Sequence, residues 1–215
     1  MQKDFIIVLA WPEGEVFGAG SWYDKIFASN GKYRVGHSAI ILINNKTEEA
    51  HYFDFGRYHT PEGFGRVRDK ETDPDITFPK IRIKEHKILK LEEFLIVVSQ
   101  MKPTHGKGKL YASVVNKVDF KKAYFYAKKT QEKGMLKYGP FTQQGTNCSR
   151  FSASVIRKAN PSFIKRLRLR FPFCISPSPK RNISIANNNY YIIENNQCTY
   201  IEKTQLKAYF SSIET

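Results

Sequence analysis

Two kinds of apolar run alternate along the chain. Residues 5–11 (FIIVLAW) are continuously apolar, rich in branched side chains and stopped by Pro12, which predicts a buried strand. Residues 36–44 (GHSAIILIN) repeat that pattern. Turn chemistry follows at 44–47 (NNKT), and 50–56 (AHYFDFG) reads as the returning strand of a hairpin. Further strands are expected at 76–84, where Pro79 requires an exposed edge, and at 110–115. A last hairpin is expected over 190–202, turning at Asn195 and Asn196.

Helical spacing marks the other runs. Helices are predicted at 20–31, ending on Gly31, at 90–101, and at 119–134, capped by Asp119 and stopped by Gly134. From Cys148 onward, Phe151, Ser152, Val155, Ile156 and Ala159 share one face of a helix, and Thr146 or Asn147 can cap it. Residues 56–75 are rich in Gly, Pro and charge and read as a long loop. Residues 165–171 (KRLRLRF) alternate basic and apolar, which as a strand would set Arg166, Arg168 and Arg170 on one face. Strands and helices mix without strict βαβ order. This predicts an α+β protein with a mainly antiparallel sheet, in a single domain over 1–215 with 183–215 as a C-terminal hairpin extension.

Composition adds charge to this picture. The 215 residues carry 35 Lys+Arg against 20 Asp+Glu, a formal net charge of +15. Eleven of the basic residues fall between Lys133 and Ile193, a stretch without Asp or Glu. Such a surface is either simply solvated, its basic side chains keeping an exposed strand edge unpaired, or suits an anionic substrate or a membrane surface. Nucleic acid ranks last, because no known nucleic-acid module is present and only Phe171 and Phe173 adjoin the basic run. The three cysteines, Cys148, Cys174 and Cys198, are too few and too far apart for a disulfide scaffold or a metal cluster, so neither metal nor organic cofactor is implied. The seven-residue apolar run at the start is short for a signal peptide, Asp4 spoils its basic flank, and nothing approaches a spanning helix. A reducing cytoplasm is the expected location.

Candidate chemistry centres on Cys148. A thiol at a helix N-terminus gains thiolate character from the helix dipole, although a small apolar residue packing at the start of a core helix gives the same pattern. A nucleophilic thiol needs a base held by a third group. His37 opens the apolar strand of the first hairpin, an expensive place for a titratable ring without a partner. His86 and His105 read as solvated, and His59 lies in the long loop. A hairpin loop at 44–47 places Asp54 opposite His37. A slip of one residue would bring His51 to that face instead, so both stay as candidates for the orienting group. Gln143 and Gln144 can add oxyanion donors to the Cys148 backbone N–H. Arg57, Arg66 and Arg68 of the long loop can grip an anionic substrate or pair with its own acidic residues.

The stretch GHSAIILIN…HYFDFG followed much later by GTNCSRF resembles the circularly permuted branch of the papain-like, NlpC-type cysteine hydrolases and acyltransferases. In that group, which includes lecithin retinol acyltransferase and its phospholipid-processing relatives, the His-bearing hairpin precedes the nucleophile helix, which starts N-C-x-x-F. Asn147, Cys148 and Phe151 match that start, and His37 matches the base. The resemblance implies a permuted papain-like fold and a thiol hydrolase or acyltransferase cleaving an amide, ester or thioester of a small-molecule, peptide or lipid substrate. A non-catalytic module of the same fold, holding an anionic partner, is the alternative. From about residue 6 to 182, LAWPEG…SWYD, VGHSAI, DFGRYHTPEGFGRVRDKETD and GTNCSRF also look like a bacterial family grouped by sequence alone, which brings no known activity.

Overall fold

The computed structural model describes residues 4–17, 32–34, 36–171, 177–204, 207 and 213. In chain order the first strands are β1 (Asp4–Trp11), β2 (Glu15–Phe17), β3 (Lys32–Arg34), β4 (His37–Ile43), β5 (Ala50–Gly56), β6 (Phe64–Arg68), β7 (Ile83–Lys84) and β8 (Lys87–Ile88). There follow α1 (Leu91–Gln100), β9 (Leu110–Val118), α2 (Phe120–Gln131), β10 (Leu136–Tyr138), β11 (Gly145–Thr146), α3 (Cys148–Lys158), α4 (Phe163–Arg170), α5 (Pro179–Ala186), β12 (Tyr190–Glu194) and β13 (Gln197–Ile201).

Nine strands form one sheet in the order β11-β10-β6-β5-β4-β1-β9-β12-β13, antiparallel except for the parallel β10–β11 pair. The chain is thus α+β, with a large mixed sheet and five α-helices among the described residues. The two apolar strand runs lie at its centre. Ile6, Val8, Ala10, Ile40 and Leu42 face a core shared with α2, α3 and α5, whereas Ile7, Leu9, Trp11, Ala39 and Ile41 face α1 and the buried Ile76 and Ile81. A strand covered on both faces has no polar side, which is why these runs do not alternate.

Several expectations change. The first hairpin loop spans 44–49 rather than 44–47, because Ile43 pairs with Ala50 and Ala39 with Asp54. The difference is two residues, so face parity survives and Asp54 stays on the face of His37. The long loop at 56–75 contains β6, which pairs with β5. Its Gly65 is required by packing, since a Cβ there would fall 2.8 Å from the Phe55 ring. The strand expected at 76–84 reduces to the two-residue β7, consistent with a proline that cannot donate to a ladder.

The run at 165–171 is not a strand but belongs to α4. Lys165, Arg168 and Leu169 turn inward at helical spacing, so Arg168 is buried while Arg166 and Arg170 are exposed. Helix α5 was missed, although Pro179 opens it and Ser178 caps it by accepting from the Arg181 N–H. Asp119 caps α2 as expected, accepting from the Lys122 N–H. The C-terminal hairpin turns at Asn195 and Asn196, both at positive φ, and β12 pairs with β9, so it extends the main sheet. The helix expected at 20–31, Cys174 and Phe173 lie outside the described residues.

Candidate active site

Cys148 is the first residue of α3. Asn147 caps the helix, its side chain accepting from the Arg150 N–H at 2.8 Å. The apolar face that begins with Cys148 packs on β4 and β5, which drives the thiol against the sheet at 5% exposure. The helix start is fixed further by Arg150, whose guanidinium donates to the carbonyls of Gly139 and Thr142, each at 3.1 Å. That clamps the β10–β11 connection onto α3.

His37 is the first residue of β4. The preceding Gly36 has φ 65°, and a Cβ there would meet the Trp11 carbonyl oxygen at 2.4 Å, so the approach to His37 needs glycine. Trp11, directly opposite on β1, stacks on the imidazole with ring centres 5.8 Å apart. His37 shares its face with Ala39 and Ile41, while Cys148 belongs to the layer on the other side. Each is the first residue of its element, His37 of β4 and Cys148 of α3. The imidazole, the Ser38 backbone N–H and the Tyr138 hydroxyl all act electrostatically on the Cys148 sulfur, whose hydrogen-bond contact is the Ser149 hydroxyl at 3.8 Å.

Behind the ring sits Asp54, fully buried on β5. Its Oδ2 contacts His37 Nε2 at 3.0 Å and accepts from the hydroxyls of Tyr52 at 3.0 Å and Tyr58 at 2.9 Å. Arg68, 2% exposed, grips both carboxylate oxygens at 2.6 and 3.1 Å, and its guanidinium lies 3.4 Å from the Tyr58 ring centre. With Nε2 held by Asp54, Nδ1 is the ring nitrogen left for the sulfur.

The electrostatics follow from this chain. Burial alone would lower the His37 pKa, but Asp54 and the Cys148 sulfur outweigh it and raise it to about 9. Burial would push the Cys148 thiol up, yet His37, the Ser149 hydroxyl and the Ser38 N–H pull it below its ordinary value. The two directions both favour the thiolate–imidazolium form of the pair over the neutral one. Burial also works against the Asp54 charge, but His37 and Arg68 hold that carboxyl well below the usual range. Tyr52, Tyr58 and Tyr138 are raised by burial and nearby negative charge, so their hydroxyls stay protonated as donors.

The other candidates fall as follows. His51 lies on the opposite face, against Phe120 and Tyr124 of α2, with its Nε2 3.6 Å from Glu49. Arg66 forms a two-point ion pair with Asp73 at 2.8 and 2.9 Å, and Arg68 is taken up by Asp54. Arg57 lies over the Tyr138 ring at 5.5 Å, beside the thiol's own neighbour. Gln143 and Gln144 are exposed in the turn before β11. The structure therefore gathers Cys148, His37 and Asp54, leaves Arg57 at their margin, and keeps His51 and Arg66 away.

Sequence reasoning missed Trp11, Tyr52, Tyr58, Arg68 as the Asp54 partner, and Tyr138. Tyr52 was legible, because it stands two residues before Asp54 on one strand face. Tyr138 was not, since a three-residue strand ten positions before the cysteine carries no pattern.

The matching family model, described as Type VI secretion system effector TseH-like, covers residues 6–163, which include the β4–β5 hairpin and the start of α3. The chain belongs to this TseH-like effector family. The crystal structure of the Type VI secretion system effector TseH superposes with a TM-score of 0.63 at 19% identity, covering 93% of this chain and 98% of that one. At such identity the likeness concerns the fold. No curated protein matches the chain.

Proposed function

We propose that this TseH-like chain is a cysteine hydrolase or acyltransferase with a permuted papain-like core, carried by a Type VI secretion system. The observation that carries the catalytic reading is His37, held by Asp54 at 3.0 Å, acting on the protonation of a thiol at a helix start. The family supports delivery as an effector and work outside the producing cytoplasm, in place of the cytoplasmic location expected from the sequence. No helix among the described residues is long and apolar enough to cross a membrane.

The geometry suits nucleophilic acyl transfer. The Cys148 thiolate attacks the carbonyl of an amide, ester or thioester. The oxyanion that forms faces the free N–H groups of the first turn of α3 and the Tyr138 hydroxyl. Collapse breaks the bond to the leaving group, which takes the proton of the His37 imidazolium and departs. A water or another acceptor then gives its proton to the neutral His37 as it attacks the thioester, and Cys148 leaves as thiolate. Asp54 holds the ring throughout, and Arg68 keeps Asp54 ionised.

Alkylation tests this reading. Iodoacetamide at pH 6 should modify Cys148 at least ~10-fold faster in the wild type than in His37→Ala, because a free thiol near pKa ~8.5 is almost wholly protonated there. Cys198, whose thiol burial raises to about 11, serves as the slow internal reference when sites are mapped by mass spectrometry. Equal rates at Cys148 in the two proteins would sink the activated pair and leave the non-catalytic binding module standing.

A further inference from the structure

Helix α4 has an unusual distribution of side chains. Phe163 is 68% exposed, Ile164 64%, Leu167 48% and Phe171, just past the helix, 58%. At about 100° per residue the first three fall within roughly 100° of arc, and Phe171 continues the stripe. The opposite side of the helix is anchored: Leu169 enters the core, and the Lys165 ammonium donates to the Ala186 carbonyl at the end of α5. The helix is thus held in place with its apolar face outward, the reverse of a core helix. A contiguous exposed patch of this kind marks an interaction site rather than ordinary surface.

Charge identifies the partner. Arg166 and Arg170 border one side of the stripe and lie near the Phe163 and Phe171 rings; Arg166 donates to the Asn160 side-chain oxygen, and neither forms an ion pair with a carboxylate among the described residues. Both belong to the stretch from Lys133 to Ile193 that contains no Asp or Glu. Helices α2 and α4 both pack on α3, and the groove between α2 and α3 adds Lys129, Lys133 and Lys158 beside the exposed Phe125. An apolar stripe with arginine flanks on a basic layer matches the headgroup boundary of an anionic bilayer, where aromatic and aliphatic side chains enter the acyl region and arginines meet phosphates.

We propose that α4 is a docking face for an anionic phospholipid surface, with Phe163, Ile164, Leu167 and Phe171 entering the interface and Arg166 and Arg170 pairing with headgroup phosphates. The face acts independently of the Cys148 chemistry, so either reading can fail without the other.

Vesicle sedimentation with the full chain tests it, using phosphatidylcholine vesicles with and without 30% phosphatidylglycerol (a fraction of about this size gives a surface potential of tens of millivolts). The expected result is association with the anionic vesicles that falls at least ~10-fold with neutral ones and at least ~10-fold in Ile164→Ser/Leu167→Ser, with unchanged melting temperature. Lys129→Ser/Lys133→Ser, which alters the groove only, should retain most of the binding. The proposal is overturned if the wild type binds neither vesicle. It is equally overturned if the apolar variant binds like the wild type while the lysine variant does not, since charge alone would then be responsible. A dimer in solution that Ile164→Ser/Leu167→Ser dissolves, without vesicle binding, would assign the face to a second copy instead.

Discussion

The network around Asp54 and the outer face of α4 invert the usual placement of residues in opposite ways. At the first, Asp54, Arg68 and Tyr52 are buried and His37 and Tyr58 are half-buried, and each finds partners. At the second, four large apolar side chains stand in solvent while their arginine neighbours find no carboxylate. Burying charge is tolerable only when geometry and hydrogen bonds repay desolvation. Exposing apolar surface is tolerable for the monomer but leaves free energy unclaimed until something covers it. The inverted core therefore points inward to chemistry, and the inverted surface points outward to a partner. Substitutions in the first should unsettle the fold, and those in the second should spare it.

The largest effect is expected from Arg68→Met. It leaves Asp54 buried beside a single titratable partner, and breaking a buried pair in this way costs about 3–5 kcal/mol. Denaturant unfolding should show that loss; a change under ~1 kcal/mol would mean that the tyrosines and His37 suffice for the carboxylate.

His37→Ala should divide the two properties. Turnover of an acyl substrate should fall by roughly 10²–10⁴-fold, the usual contribution of a positioned acid–base group, with a smaller effect on unfolding than Arg68→Met because Arg68 still grips both Asp54 oxygens.

The pH dependence of stability follows from the direction of each shift. Asp54 is depressed in the fold, so its contribution is present above its ordinary value of 3.8 and is lost as pH falls below it. His37 is raised to about 9, so its contribution is complete below 6.5 and is lost as pH rises through about 9. Cys148 is lowered from its ordinary value of 9.0, so its contribution grows over the same rise in pH and offsets the loss from His37. Thermal melts should therefore decline on the acid side, below pH 3.8, and stay nearly level from 6.5 to about 9; a steep fall across that range would mean that His37 is raised without a thiolate beside it.

The smallest effect belongs to the contrasting face. Ile164→Ser should change unfolding free energy by no more than ~0.5 kcal/mol, as for surface positions in general. A larger loss, read by the same denaturant titration, would show that the side chain packs in the fold and would erase the contrast.

The central strands and the helix at Cys148 were legible because each has a one-dimensional signature: continuous apolar runs for strands covered on both faces, and apolar spacing behind an Asn cap for the helix. Asp54 was legible through face parity, although the loop length assumed for the hairpin was two residues short. Strand β6 was hidden in a segment whose Gly, Pro and charge suggest a loop, because two of its charged residues serve internal ion pairs rather than solvent. Helix α4 was misread because alternation of basic and apolar residues mimics a strand. Only packing against α3 and α5 shows that Arg168 turns inward while Phe163 and Leu167 turn out.

Local order, apolar period and capping residues thus act between near neighbours in the chain and can be read along it. They specify the strand–turn–strand that bears His37 and Asp54 and the helix that starts at Cys148. Burial and long-range pairing are different, because a side chain's partners are chosen by elements far away in sequence. The fold alone brings residue 37 under the influence of residue 148, spends Arg68 on Asp54, couples Tyr138 electrostatically to the thiol, and leaves the apolar side of α4 uncovered.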